Sequence, residues 1–338
     1  MLNSIADHND SHDLDNINLH SSNYYDPSEF SKMDSTVNSS YFHLNCRGLS
    51  SNWNSFNELI QSIHTGIFMF DFIGLSESFT CDHDSRIHLA GYHNIITRSR
   101  SNDFHGGIGL FIKENIHYVI REDLSVFIPH VFESLFIELK NPAKQSEIVG
   151  VIYRPNTAPK ADLDIFSKTI DDIMCIINDE KKHCIMMGDM NIDLLKYNEH
   201  AKTNSYIDMV FANGFIPSIT KPTRISSHSA TLIDHIYSNT YNPKCTTGIL
   251  ITDLADHYGV FYLYPKHRCK RENQVHLKRI ISDVNMLSFK QALARVDFSE
   301  ILCQSDTERA FNKFGILINE EYNKAFPLRK INAKNTNT

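Results

Sequence analysis

Gly188-Asp189-Met190-Asn191-Ile192-Asp193 sets a carboxylate and a carboxamide two residues apart, directly after the apolar run Cys184-Ile185-Met186-Met187. A short apolar run bounded by polar residues reads as a buried strand, and the glycine lets the chain turn at its end. A carboxylate there can take a proton from water or hold a hard cation, and a carboxamide can orient a phosphate oxygen. The arrangement recurs along the chain. Leu44-Asn45 ends in an amide, Leu75-Ser76-Glu77 in a carboxylate, and Ile152-Tyr153-Arg154-Pro155-Asn156 in a phenol and an amide. Thr231-Leu232-Ile233-Asp234-His235 and Leu254-Ala255-Asp256-His257 add acids and imidazoles. Brought to one place, these groups form an oxygen-rich, thiol-free set, which selects Mg²⁺ or Mn²⁺ over zinc. Phosphodiester hydrolysis needs such parts: a cation on the phosphoryl oxygen, a base for water and donors around the developing charge.

Strands and helices must carry these groups together. Tyr41 to Leu44, Asp71 to Leu75, Tyr92 to Thr97 and Gly107 to Ile112 read as β segments. So do His117 to Arg121, Val131 to Leu139, Ile148 to Tyr153, Leu232 to Tyr237 and Tyr258 to Tyr264. Helical spacing marks Ser51 to His64, with Phe56, Leu59, Ile60 and Ile63 on one stripe. It marks Asp162 to Asn178 as well, through Leu163, Phe166, Ile170, Ile173, Met174 and Ile177, and a further helix is expected near Thr203 to Ala212. Many strands with few intervening helices predict an α/β fold of two packed sheets covered by helices, not a single alternating parallel sheet.

The chain has 338 residues, 41% hydrophobic and 22% charged, enough for one large α/β domain with extensions. Residues 1–38 are rich in Asn, Asp, Ser and His and are expected to be disordered. A domain is expected over 39–264, followed over 265–338 by a basic linker and helical tail. Lys266, Arg268, Lys270, Arg271, Lys278 and Arg279 form the basic part, and Ser288 to Phe326 the helical part. No apolar run reaches about 18 residues, so no membrane span is expected, and no secretory signal is visible. Seven cysteines without a C-x-x-C pair argue against a disulfide framework or zinc ribbon and for a reducing compartment. A net charge of −7 gives no general attraction to a polyanion, which would need a local basic surface or a bound cation. Gly106-Gly107-Ile108-Gly109 lacks the Gly-Lys-Ser/Thr of a P-loop and reads as a turn into a strand. Cys81-Asp82-His83-Asp84 with His88 reads as a polar loop.

Several stretches together resemble the endonuclease/exonuclease/phosphatase superfamily. They are Leu44-Asn45-Cys46-Arg47-Gly48-Leu49, Val151-Ile152-Tyr153-Arg154-Pro155-Asn156 and Gly188-Asp189-Met190-Asn191-Ile192-Asp193. Lys221-Pro222-Thr223-Arg224, Leu232-Ile233-Asp234-His235-Ile236 and Asp256-His257 complete the match. Within the superfamily they are similar to the apurinic-like endonuclease of non-LTR (LINE-type) retrotransposons, over about Ser40 to Tyr264. The resemblance implies a DNase I-like four-layer sandwich, two packed mixed β-sheets flanked by helices. It implies Glu77 as the main Mg²⁺ ligand, with Asn45 and Asp256 near the same ion. Asp189 would polarise or deprotonate the attacking water. Asn191 and Asn156 would hold the scissile phosphate, helped by Tyr153. His257 would contact the phosphate and stabilise its charge, and Asp234 would orient His257. The base is either Asp189 or the His257–Asp234 pair. Repair-type relatives often carry an acid two residues after the first Asn, where Arg47 stands here, which weakens an abasic-site repair reading.

The implied activity is a Mg²⁺-dependent endonuclease that nicks one DNA strand and leaves a 3′-hydroxyl to prime reverse transcription. DNA is the implied partner and the nucleus the implied location. The sequence beyond Pro265 resembles the linker before a reverse transcriptase, which implies such a region in a longer product. Two alternatives stay open: a phospholipid or inositol-phosphate phosphodiesterase of the same fold, and a non-catalytic copy that binds nucleic acid or protein. The lack of a signal peptide and the Arg154-Pro155-Asn156 and Lys221-Pro222-Thr223-Arg224 motifs count against the first. Retention of every motif residue counts against the second.

Overall fold

Alternating side-chain direction decides what each strand of this chain can bury. In Glu147–Tyr153, Ile148 and Ile152 pack into one apolar cluster while Val149, Val151 and Tyr153 pack into another. Successive residues of a strand point to opposite faces, so a strand apolar on both sides belongs inside a layered structure. The computed structural model describes residues 22–33, 37–64, 68–79, 86–99, 106–140, 146–156, 162–265, 276–279, 281–304 and 306–331. They fall into two compact units, Met1–Lys266 and His267–Thr338.

The first unit begins with β1 (Asn23–Tyr25), α1 (Pro27–Phe30), β2 (Val37–Asn45), α2 (Trp53–Ile63), β3 (Phe72–Ser76), β4 (Ile96–Arg98) and β5 (Ile108–Ile112). It continues through β6 (Tyr118–Ile120), β7 (Phe127–Ile128), β8 (Phe132–Leu139), β9 (Glu147–Tyr153), α3 (Asp162–Asp179) and β10 (His183–Asp189). After a 3₁₀ turn at Leu194–Lys196 come α4 (Ala201–Ala212), β11 (Ile216–Pro217), β12 (Arg224–Ile225) and β13 (Ala230–Thr231). The last strands are β14 (Asp234–Ser238), β15 (Thr246–Leu250) and β16 (Gly259–Pro265).

Two mixed sheets result. The first has the order β1-β15-β16-β2-β3-β5-β4; the second runs β11-β14-β10-β9-β8-β6, with β7 paired to β8. β2 and β3 are parallel, as are β9 and β10, while β14 is antiparallel to β10 and β16 to β2. Phe56, Ile60 and Ile63 of α2 cover the outer face of the first sheet, against Phe42, Leu44 and Ile73. Leu163, Phe166, Ile170 and Met174 of α3, with Tyr206, Ile207 and Val210 of α4, cover the second. Tyr41, Phe72, Leu110, Val149, Val151 and Met187 fill the space between the sheets. The architecture is the expected four-layer sandwich of two mixed sheets flanked by helices. Each large apolar side chain fully buried this way contributes about 1.5–3 kcal/mol.

β9 and β10 approach each other closely at Gly188. A Cβ there would lie 1.8 Å from the Ile152 carbonyl oxygen, so only glycine fits immediately before Asp189.

Some expectations need correction. The polar N-terminal segment is ordered in part: Asn23–Tyr25 pairs in parallel with β15, and Asp26 caps the short helix after it in a reciprocal capping box with Glu29. Residues 1–21 lie outside the described residues. Tyr92 to Thr97 is strand only from Ile96, and Leu232-Ile233 interrupts the strand expected there, between β13 and β14. β15 carries no period-two signal of its own, because Thr246-Thr247-Gly248 lacks an apolar alternation.

The second unit contains β17 (His276–Arg279), α5 (Asp283–Ala294), α6 (Ser299–Leu302), α7 (Thr307–Ala325) and β18 (Leu328–Ile331), with β17 and β18 antiparallel. The helical stretch expected from Ser288 thus starts earlier and is broken twice. Ser282 and Asp306 cap α5 and α7 by accepting from backbone N–H groups of their first turns. Lys266, Arg268, Lys270, Arg271 and the Cys81-Asp82-His83-Asp84 loop lie outside the described residues. No helix among the described residues is long and apolar enough to cross a membrane.

Candidate active site

The alternation that builds the core also aims the polar groups at the strand ends. In β10, Ile185 and Met187 face the other sheet, and so does Asp189. Tyr41 sets that face for His43 and Asn45 in β2, Val151 for Tyr153 in β9, and Ile236 for Asp234 in β14. Two sheets about 10 Å apart let side chains from both sides meet midway.

They do meet. Asn45 Nδ2 donates to Glu77 Oε1 at 2.9 Å and to Asp189 Oδ2 at 2.8 Å, joining the first sheet to the second. The Tyr153 hydroxyl donates to the same Glu77 oxygen at 3.2 Å. Asp189 stands in register with Tyr153 on one side and Asp234 on the other. His257, just before β16, places Nδ1 2.9 Å from Asp234 Oδ2 and 4.0 Å from Asp189 Oδ2. Thr223 donates its hydroxyl to Asp234 Oδ2 at 2.7 Å and accepts from the Asp234 backbone N–H at 3.1 Å.

The connecting loops are fixed as firmly. Asn191 donates its backbone N–H to Asp189 Oδ1 at 3.1 Å and its side-chain amide to the Arg154 carbonyl at 2.8 Å. The buried Arg154 returns a bond from Nη1 to the Asn191 carbonyl at 3.1 Å and lies over the Phe166 ring. Glu77 and Asn191 have φ of 50° and 47°, in the left-handed region that side chains adopt with strain. Backbone strain of this kind, held in place by its surroundings, clusters at functional sites.

Electrostatics separates the acids. Burial raises Asp189, the neighbouring Asp234 charge raises it further, and His257 and Asn45 pull back only in part, leaving it at about 7. Burial would also raise Asp234, but the charge and hydrogen bond of His257, with His43 and Thr223, hold it below the usual carboxylate range. Burial would lower His257; the Asp234 charge and hydrogen bond, then Asp189 and Asp256, carry it instead to about 9. At neutral pH His257 is therefore an imidazolium held by an ionised Asp234. Burial, with the charges of Glu77 and Asp189, raises the Tyr153 phenol, which stays protonated and able to donate.

Asp189, Asp234 and His257 form a buried group whose ligand atoms lie within 4.8 Å of one another, close enough to hold an ion. Glu77 offers a further carboxylate, joined to this group through Asn45. Its Oε1 takes both Asn45 and Tyr153, while Oε2 has no partner among the described residues. Asn45 turns its NH₂ to the acids, its oxygen accepting from the Arg47 backbone N–H at 3.2 Å. Asp256 is not bonded to Glu77; it forms ion pairs with Arg47 Nη1 at 2.9 Å and Arg224 Nη2 at 2.5 Å. Asn156 lies exposed just past β9. Thr223, Arg224 and His43 carry parts of the site that sequence reasoning did not assign. Thr223-Arg224 lies in a noted motif, but its bonds to Asp234 and Asp256 depend on tertiary pairing.

Neither a protein-family model nor a curated protein matches this sequence. The structure is similar to the endonuclease domain of TRAS1, a telomere-specific non-LTR retrotransposon, with a TM-score of 0.51 and 10% identity over 67% of this chain and 98% of that one. It is similar to the Xenopus laevis APE2 catalytic domain, also with a TM-score of 0.51, at 17% identity over 68% of this chain and 94% of that one. The chain has the DNase I-like fold of the endonuclease/exonuclease/phosphatase proteins, in agreement with the expectation from its motifs.

Proposed function

We propose that this chain is a divalent-metal-dependent endonuclease that nicks one strand of DNA and leaves a 3′-hydroxyl. The observation that carries the reading is the Asn45 carboxamide joining Glu77 to Asp189 beside the His257–Asp234 pair. An acid with one oxygen unpaired among the described residues, a second acid of near-neutral pKa and a fixed imidazolium are the parts of in-line phosphodiester hydrolysis. Similarity to a retrotransposon endonuclease domain and to the APE2 catalytic domain supports a nucleic-acid substrate.

In this reading Glu77 would hold Mg²⁺ or Mn²⁺, which when bound would supply positive charge against the phosphoryl oxygen. Asp189 accepts the proton of the attacking water, since its value of about 7 matches the operating pH. His257 donates to a non-bridging oxygen and stabilises the charge that builds there, with Asp234 holding the ring in place. Asn191 and Asn156 border the path of the phosphate, and Tyr153 keeps Glu77 oriented. Asp256, paired to two arginines, steadies the lip rather than binding the ion. A nuclear location and a reverse transcriptase region in a longer product belong to the same reading.

Incubation of the full chain with supercoiled plasmid tests it. Relaxed circles should form with Mg²⁺ and not with EDTA, and their ends should prime a DNA polymerase. Cutting that persists in EDTA sinks the metal requirement. Intact plasmid under every divalent ion, with a folded protein, sinks the nuclease reading.

A further inference from the structure

His43 lies fully buried in β2, on the same strand face as Asn45, in a position no motif singled out. Its Nε2 is 3.2 Å from Ser76 Oγ. Among the described residues its Nδ1 has no hydrogen-bond partner and faces Asp234 Oδ1 at 3.9 Å, and that oxygen has none either. The other oxygen of Asp234 already takes His257 and Thr223. Buried polar atoms are nearly always paired, so two orphans facing each other across the gap between the sheets call for an explanation.

The tautomer supplies one. A bare Nδ1 lone pair aimed at an ionised carboxylate is repulsive in a low-dielectric interior, whereas an N–H there is attractive. A neutral imidazole carries one N–H, and Ser76 can serve the other nitrogen by donating its hydroxyl to Nε2. We propose that His43 is a positioning residue whose Nδ1–H donates to Asp234 Oδ1 and locks the carboxylate that holds His257. Closing the gap to about 2.9 Å asks for roughly 1 Å of ring movement. Asp234 is then held on both oxygens, by imidazoles that both belong to the first sheet, and cannot swing away from His257. The catalytic consequence rests on the nuclease reading; the hydrogen bond itself does not.

Imidazole ¹⁵N spectra of the full chain at one neutral pH, with signals assigned through His43→Asn, decide the bond directly. Protonated Nδ1 and bare Nε2 on His43 are expected. The opposite tautomer overturns the proposal, even if the protein proves not to be a nuclease. For the role, His43→Leu removes the donor, whereas His43→Asn keeps an N–H near the Nδ1 position. His43→Leu should lower kcat for nicking about 10–100-fold with little change in KM, and should shift the His257 Nδ1–H proton resonance. His43→Asn should recover most of both. Wild-type kcat and an unmoved His257 resonance in His43→Leu would overturn the role. If His43→Leu does not fold, the wild-type tautomer decides alone.

Discussion

Arg47 and Asp256, at the lip of the site, expose 50% and 35% of their side chains, whereas Asp189, Asp234 and His257 expose 1%, 0% and 4%. Both regions are built from opposite charges at hydrogen-bond distance, yet they obey different physics. Charges that water reaches are screened, and an ion pair between them is worth little and exchanges readily. Charges in the interior act on one another strongly and shift one another's protonation. The lip can therefore trade partners at little cost, while the interior is organised once, when the chain folds.

Asp189→Asn should separate the two regimes most sharply. Nicking should fall by about 10²–10⁴-fold, the usual contribution of a positioned general base. Stability should move the other way. The native carboxyl titrates at about 7 against 3.8 when unfolded, so the fold loses stability as pH rises between those values. At pH 8 in EDTA the variant should melt higher than the wild type, by roughly 2–4 °C for each kcal/mol recovered. A lower melt would mean that the interior tolerates the acid better than its burial implies.

Glu77→Gln probes the boundary between the regions. The carboxamide keeps the shape and loses the charge, so the Mg²⁺ midpoint of nicking should rise about tenfold or more. The test is a Mg²⁺ titration of the rate, and an unmoved midpoint would remove Glu77 as the ligand.

His257 gives a pH dependence of definite sign. Its value rises from 6.5 to about 9 on folding, so its contribution is fully present below pH 6.5 and lost as pH climbs through 9. Denaturant midpoints measured at pH 6, 7.5 and 9 should fall across that window and flatten in His257→Gln. Equal slopes in both proteins would place the titration elsewhere.

The smallest effect belongs to the lip. Arg47→Ala should change stability by no more than about 1 kcal/mol, as for other exposed ion pairs. A drop of several kcal/mol in a denaturant titration would show that the Arg47–Asp256–Arg224 group belongs with the interior.

Much of this arrangement is legible in the sequence, because period-two burial and strand-end polar groups are local signals. Val149 and Val151 announce the face on which Tyr153 lies, and Ile185 and Met187 do the same for Asp189. What escaped was set by partners distant in sequence. Asn23–Tyr25 is a strand only because Gly248 to Leu250 offers it an edge, and its polar surroundings concealed it. The two arginines on Asp256 become visible only once Arg47 turns back at φ 43° and β12 brings Arg224 beside His257. His43, one of 18 histidines, carries no local mark of its neighbour Asp234.

Asn45 commits one amide hydrogen to Glu77 on its own sheet and the other to Asp189 across the gap between the sheets. The layers beneath it are already at contact, for a methyl group on Gly74 would come within 2.9 Å of Met187 and Val151. A close-packed interior passes small displacements along instead of absorbing them. The carboxamide therefore works as a calliper set to the thickness of the sandwich. A swollen or slipped interior opens the calliper and parts Asp189 from Glu77, so the geometry at the rim doubles as a gauge of packing several residues below it.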